Sequence, residues 1–353
     1  MPEEKDKSNV VALAPKAGVS ITLAQNLERT ERHPVLIFGA SRAGKTLMII
    51  SLIQALRTSG EVSVHLGEPV LDRADPRSAA KHKAARTLYE RQTYTVDAGA
   101  AAASTQADPF FVPIDVMPRN SQRPPVKFAF LDGRGELYEP NTAAELDFYK
   151  PLNEDVRDLL DNFSYGVTTI YMAPYSMGSE HDRDTREGDH GLLGVLEKYG
   201  DHRKMRSNDF HLFLLSKWDQ YASPMDPNML FDRPTPMQVD TVLRERYPLS
   251  WGAFQGLPLE GPAEDRRSFM QYSSGYFVKG NPQRPPLNFE PSFARYPRTV
   301  LNWLYGNALR FRAKEIKTGR MYTFRQTLFD DVVSPYATRV SVSEKLASLL
   351  TSR

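Results

Sequence analysis

The run GASRAGKT, from Gly39 to Thr46, holds the densest chemistry in the chain. Two glycines with four residues between them let the backbone curl, so that the N–H groups of Ser41, Arg42, Ala43 and Gly44 can converge on an oxyanion. A helix starting after Gly44 would add the positive potential of its N-terminus. Lys45 then brings a full charge to the β- and γ-phosphates of a nucleotide, and the Thr46 hydroxyl is a ligand for Mg²⁺.

Three later stretches supply what such a loop lacks. In VKFAFLDGRGELY, from Val126, an apolar run ends at Asp132, with Gly135 three positions on and Glu136 after it. Asp132 can hold a metal through water, and the Gly135 N–H can bond a γ-phosphate and release it on hydrolysis. Asp-Gly after a strand is also a hairpin-turn signal, and both readings stand at this point. In FHLFLLSKWDQY, from Phe210, another apolar run ends at Ser216, Lys217, Trp218 and Asp219. A carboxylate there can accept from N1–H and the 2-amino group of guanine, whereas adenine offers neither. A desolvated bidentate pair discriminates strongly. The Lys217 stem can lie along the base plane. In SFMQYSSGYF, from Ser268, the loop Ser273-Ser274-Gly275 can offer a backbone N–H to guanine O6, or be a plain loop.

These groups need a sheet to carry them. Val35–Phe38, Phe128–Leu131 and Phe210–Leu215 are short continuous apolar runs, the mark of strands buried on both faces. KTLMIISLIQALRT, from Lys45, has helical apolar spacing and no Gly or Pro. Strands are expected near 35–39, 110–116, 126–131, 166–173, 210–216 and 268–273. Helices are expected near 45–58, 142–162, 187–199, 236–246 and 294–312. Surplus length falls into insertions around 60–108, 175–208, 222–265 and 276–293, the last two read as ordered loops without clear periodicity. Residues 1–30 read as a tail, 31–312 as the phosphate-loop domain, and 313–353 as an extension.

Composition removes other classes. The 353 residues include no cysteine, which excludes disulfides, zinc-thiolate sites and a cysteine nucleophile. A net charge of +2 argues for neither nucleic acid nor an anionic membrane. The polar start MPEEKDKSNV lacks a signal-peptide core, and no apolar run reaches the roughly 20 residues of a bilayer span, so a cytoplasmic setting is expected. The basic, aromatic stretch 310–325 reads as a solvated helix end.

Taken together, GASRAGKT, DGRGE, SKWD and SSG resemble the signature elements of the Ras-like, translation-factor-related class of P-loop GTPases, over about residues 31–312 in outline. Within it, SRAGKT with Asp-x-x-Gly-Glu is similar to YcjX-like bacterial P-loop proteins and to GTPases of bacterial conflict systems. The resemblance implies GTP or GDP with Mg²⁺, and protein effectors of unknown identity. It also implies a three-layer α/β G-domain with a mainly parallel sheet, helices on both faces, insertions, and nucleotide at the carboxyl ends of the strands.

Two positions depart from that pattern. The class needs a switch threonine to close on the metal; Thr105 is best placed, with Thr93 and Thr95 as alternatives. Glu136 stands where the class carries a water-orienting glutamine. It is either a catalytic base or a side chain facing away, and the second reading predicts slow turnover. Arg42 and Arg134 can supply charge in cis or across a homodimer, or be solvated. The leading expectation is a slow GTPase switch, with Lys45, Gly135 and Glu136 as its catalytic groups. The alternatives are an ATP-dependent P-loop enzyme and a nucleotide-bound interaction module without useful hydrolysis.

Overall fold

The structure is a computed structural model. It describes residues 21–39, 43–90, 109–133, 152–175, 179–203, 209–225, 234–257, 266–274, 294–310 and 327–337, with backbone alone at 179–184 and 222–225. The strands are β1 His33–Gly39, β2 Val62–Leu66, β3 Phe110–Pro118, β4 Val126–Asp132, β5 Thr168–Pro174, β6 Phe210–Ser216, β7 Arg267–Gln271 and β8 Tyr336–Ala337. The helices are α1 Leu23–Arg29, α2 Lys45–Thr58, α3 Ser78–Glu90, α4 Glu154–Asn162, α5 Ser179–Arg203, α6 Trp218–Met225, α7 Pro236–Arg246, α8 Pro248–Gln255 and α9 Arg295–Ala308.

One sheet runs β2-β3-β4-β1-β5-β6-β7-β8. The central pairs β4–β1, β1–β5, β5–β6 and β6–β7 are parallel, while β2–β3, β3–β4 and β7–β8 are antiparallel. β1 and β6 are buried at every position, as expected of parallel strands covered on both faces. Helices α2 and α9 pack together on one face, and α5, with α4 and α8 against it, covers the other. The result is a three-layer α/β P-loop architecture. The strands leave β1 in opposite directions along the sheet, to β4 on one side and β5 on the other. Such a switch point opens a crevice at the carboxyl ends.

Several elements fall where the sequence reading has none. Helix α1 lies in the stretch read as a tail; its apolar face, Leu23, Ala24 and Leu27, joins the core, and Thr22 with Gln25 forms a capping box. Strand β8 lies in the stretch read as an extension and pairs with β7. β2 and α3 lie in the first insertion. β2 is a half-exposed edge strand, so it shows no continuous apolar run. Its edge is partly covered: Tyr89 of α3 donates to the Val64 carbonyl at 2.9 Å, and Arg57 stacks over the Tyr89 ring. The insertion read as loop at 222–265 carries α8, whose PLSWGAFQ has no helical apolar period. Asp189 of α5 caps α8 by accepting from Leu249 N, Ser250 N and the Ser250 hydroxyl. The expected helix 142–162 is observed as Glu154–Asn162, its first part lying outside the described residues. The helix expected at 187–199 extends over Ser179–Arg203. No helix among the described residues is long and apolar enough to cross a membrane.

Candidate functional site

The first half of the site grows out of the end of β1. Gly39 is required there by proximity. A Cβ on it would lie 2.7 Å from the Met172 carbonyl oxygen of β5 and 3.2 Å from the Ala43 Cβ. Gly44 is required by its backbone, at φ +95°, a left-handed turn that L side chains adopt at a cost. That turn lets α2 begin at Lys45, which places the N-terminal end of the helix directly after Gly44. Lys45 is 7 % exposed, and its ammonium donates to the Gly39 carbonyl at 2.7 Å.

Thr46 and Asp132 come together from α2 and β4. The threonine hydroxyl lies 2.9 and 3.0 Å from the two carboxylate oxygens, and Asp132 is 2 % exposed. A hydroxyl against a buried carboxylate, beside a helix N-terminus, is a hard-oxygen donor set that fits Mg²⁺. This pairing was legible from the motif order, and the geometry unites the two residues. Gly133 follows Asp132 with Pro109 packed against it: a Cβ would lie 3.1 Å from Pro109 Cα.

The second half is built on β6 and β7. Ser216, at the end of β6, donates to the Ala43 carbonyl at 2.9 Å. Its side chain therefore tethers the phosphate loop to the neighbouring strands. Lys217 turns the chain at φ +58°, an uncommon conformation for a side-chain-bearing residue, so that α6 can start at Trp218. Trp218 is fully buried and packs against Tyr221, the rings tilted with centroids 4.5 Å apart, which anchors that start. Two backbone bonds stitch the β6 and β7 loops together: Tyr272 N to Leu215 O at 2.8 Å, and Trp218 N to Tyr272 O at 3.1 Å.

Asp219 emerges between these loops. It is 6 % exposed, and the Ser273 hydroxyl donates to its Oδ1 at 3.0 Å. Burial pushes its pKa up; the Ser273 bond, its own backbone N–H and Lys217 pull the other way. A buried carboxylate aimed by one hydroxyl suits a ligand that brings paired donors. Ser273 thus reaches the aspartate through its side chain, and Ser274 follows it, partly buried. Asp132 ends β4 and Asp219 lies in the first turn of α6, just past β6; β4 and β6 are three strand spacings apart in the sheet, about 14 Å. A nucleoside triphosphate is long enough to span such a separation.

Ala40, Ser41, Arg42, Thr93, Thr95, Thr105, Arg134, Gly135 and Glu136 lie outside the described residues. The sequence reading missed Met172, whose backbone dictates Gly39, and Tyr272, whose backbone joins the two base-side loops. Neither carries a local signal, since each acts through pairing between distant strands.

No family model matches the chain, and no curated protein matches it. Among solved structures, the signal recognition particle receptor SRb-GTP/SRX complex from Chaetomium thermophilum is similar at 15% identity. That match covers 71% of this chain and 93% of the other, with a TM-score of 0.32. The S. cerevisiae Ski7 GTPase-like domain bound to GDP and inorganic phosphate is similar at 11% identity, over 77% of this chain and 52% of that one, with a TM-score of 0.32. The same domain bound to GTP gives 12% identity, 70% and 44% coverage, and a TM-score of 0.33. This chain thus spans about half the length of the Ski7 chains. Likeness at this level names no activity; the chemistry rests on the geometry of the site.

Proposed function

We propose that the protein binds GTP with Mg²⁺, hydrolyses it slowly, and acts as a nucleotide-dependent switch. The observation that carries this reading is the pairing of two buried carboxylates on one sheet edge, Asp132 against the Thr46 hydroxyl and Asp219 against the Ser273 hydroxyl. A phosphate site alone would serve any nucleotide. The second carboxylate is what favours guanine, because adenine presents no donor pair to it.

In this reading Lys45 leaves the Gly39 carbonyl for the β/γ-phosphates, and the loop N–H groups from Ser41 to Gly44 cradle them. Thr46 and Asp132 would hold Mg²⁺, with Thr105 as the third group, and the ion supplies neutralising charge on the phosphates. Lys217 and Asp219 hold the base, with the 273–274 loop beside it. Gly135 senses the terminal phosphate, and Glu136 in place of glutamine accounts for slow turnover. A cytoplasmic setting is part of this proposal. A bacterial setting and the finer likeness to YcjX-like proteins belong to the same proposal, as do protein effectors and a homodimer. Releasing and identifying the nucleotide from freshly purified protein tests the reading. GDP or GTP supports it, and ATP or ADP removes it.

A further inference from the structure

Tyr272 joins the two halves of the site in a way that neither motif requires. Its ring is buried, and its hydroxyl hydrogen-bonds the Ser51 Oγ on α2. The direction of that bond follows from proton counting. Ser51 has one hydroxyl hydrogen, and it goes to the Met48 carbonyl at 2.7 Å. The phenol is therefore the donor to Ser51. The bonds from Tyr272 to Ser51 and from Ser51 to the Met48 carbonyl run in series into the phosphate helix, and bonds in series polarise one another in a dry interior. Burial drives the Tyr272 pKa upward, which keeps the phenol protonated and able to donate.

The main chain of Tyr272 is held separately, its N–H donating to Leu215 O at 2.8 Å and its carbonyl accepting from Trp218 N at 3.1 Å. Ser51 is six residues after Lys45 on α2, about 9 Å along the helix axis. The residue preceding Ser273 and Ser274 is thus bonded by its backbone to the Ser-Lys-Trp-Asp loop. Its side chain is bonded to the helix whose first residues are Lys45 and Thr46.

Resting on the guanine-nucleotide reading above, we propose that Tyr272 is a positioning residue that sets base specificity. Its hydroxyl registers the 273–274 loop, and through Ser273 the Asp219 carboxylate, against the phosphate helix. Base and phosphates of one nucleotide are then bound by a single rigid unit. Without the hydroxyl the phosphate half is intact, and the base half loses its fixed distance from it.

The test uses the full chain and three probes, GTP, ATP and inorganic tripolyphosphate, with dissociation constants measured by calorimetry. Tyr272→Phe keeps the buried ring, and Ser51→Ala removes the acceptor while leaving the phenol. Each is expected to weaken GTP roughly three- to tenfold, the range of one net hydrogen bond. ATP and tripolyphosphate should be unchanged, so the GTP-to-ATP preference falls by the same factor. The double variant should be no worse than either single one, because both cut one chain of bonds. A preference for GTP that survives both single variants would overturn the role of Tyr272 and leave the guanine reading standing. Equal weakening of GTP and tripolyphosphate would also overturn it, since the effect would then lie in the phosphate helix. Wild-type protein without any preference for GTP over ATP would remove the guanine reading itself, and this proposal with it.

Discussion

Replacing Asp219 by asparagine separates recognition from stability, because the two should move in opposite directions. Asparagine keeps one oxygen that can accept from Ser273, now 3.0 Å from Oδ1, and replaces the other with an amide donor. Against guanine, that donor faces the 2-amino group, and one arm of a bidentate contact is lost. Such a contact discriminates by about 1–3 kcal/mol, or about five- to 150-fold in affinity. Asp219 is only 6 % exposed, so little water can replace the lost bond, and the upper half of that range is expected. Xanthine presents a carbonyl where guanine has the amino group, so XTP should gain as GTP loses.

Stability should respond differently. Burial raises the Asp219 pKa in the fold. Between the ordinary aspartate value and the raised one, the folded state holds more protons than the unfolded chain. The stabilisation from this group is therefore full below the ordinary value and is lost as pH rises through the raised one. At neutral pH the wild type bears the cost of a buried charge, and Asp219→Asn does not. After nucleotide is stripped by chelation, urea melts at pH 7 should show the variant at least as stable as wild type. Competition binding with GTP, XTP and ATP reads the other half. Unchanged GTP affinity, no shift toward XTP, or a clearly less stable variant would each refute the placement of Asp219 as a buried base-reading carboxylate.

Three further expectations concern Lys45, Glu136 and the buried histidines. Lys45→Ala removes the charge for the β/γ-phosphates and should abolish most nucleotide affinity, by tenfold or more, with the circular dichroism spectrum retained; titration at matched fold content checks it. Glu136→Gln should leave turnover unchanged or raise it, from an intrinsic rate well below the roughly 1–10³ s⁻¹ of typical enzymes; a large loss in single-turnover phosphate release would make Glu136 a working base. Burial holds His33 down to about 3 and His211 to about 4, so between pH 6.5 and 4 the unfolded chain binds protons that the fold refuses. Stability should fall as pH falls through that window, by about 1.4 kcal/mol per pH unit for each histidine; urea midpoints from pH 7 to 4.5 measure the slope, and His211→Gln should flatten it.

The parts of this fold legible in the sequence are those whose signal is local. Helix α2 occupies the expected 45–58 because fourteen residues of helical spacing follow a glycine without a breaker. Strand β6 and helix α7 likewise match their expected bounds, one from an unbroken apolar run and the other from a proline start behind a Thr235–Gln238 capping box. The order of Lys45, Thr46, Asp132, Lys217 and Asp219 along the chain was enough to expect one site. Elements stabilised from outside themselves were not legible. Helix α8 is capped by Asp189 from another helix, β2 is held by one neighbour and a tyrosine hydroxyl, and the two-residue β8 exists only because β7 has an edge to fill. The same division runs through the site. Residue type, spacing and motif order give the expectation of Lys45 at phosphate and Asp219 at a base. Only the packed strands decide that Ser216 holds the Ala43 carbonyl, that Ser273 aims Asp219, and that Met172 leaves room for nothing but glycine at position 39. Each of those contacts joins residues more than fifty positions apart, where no local pattern carries the information.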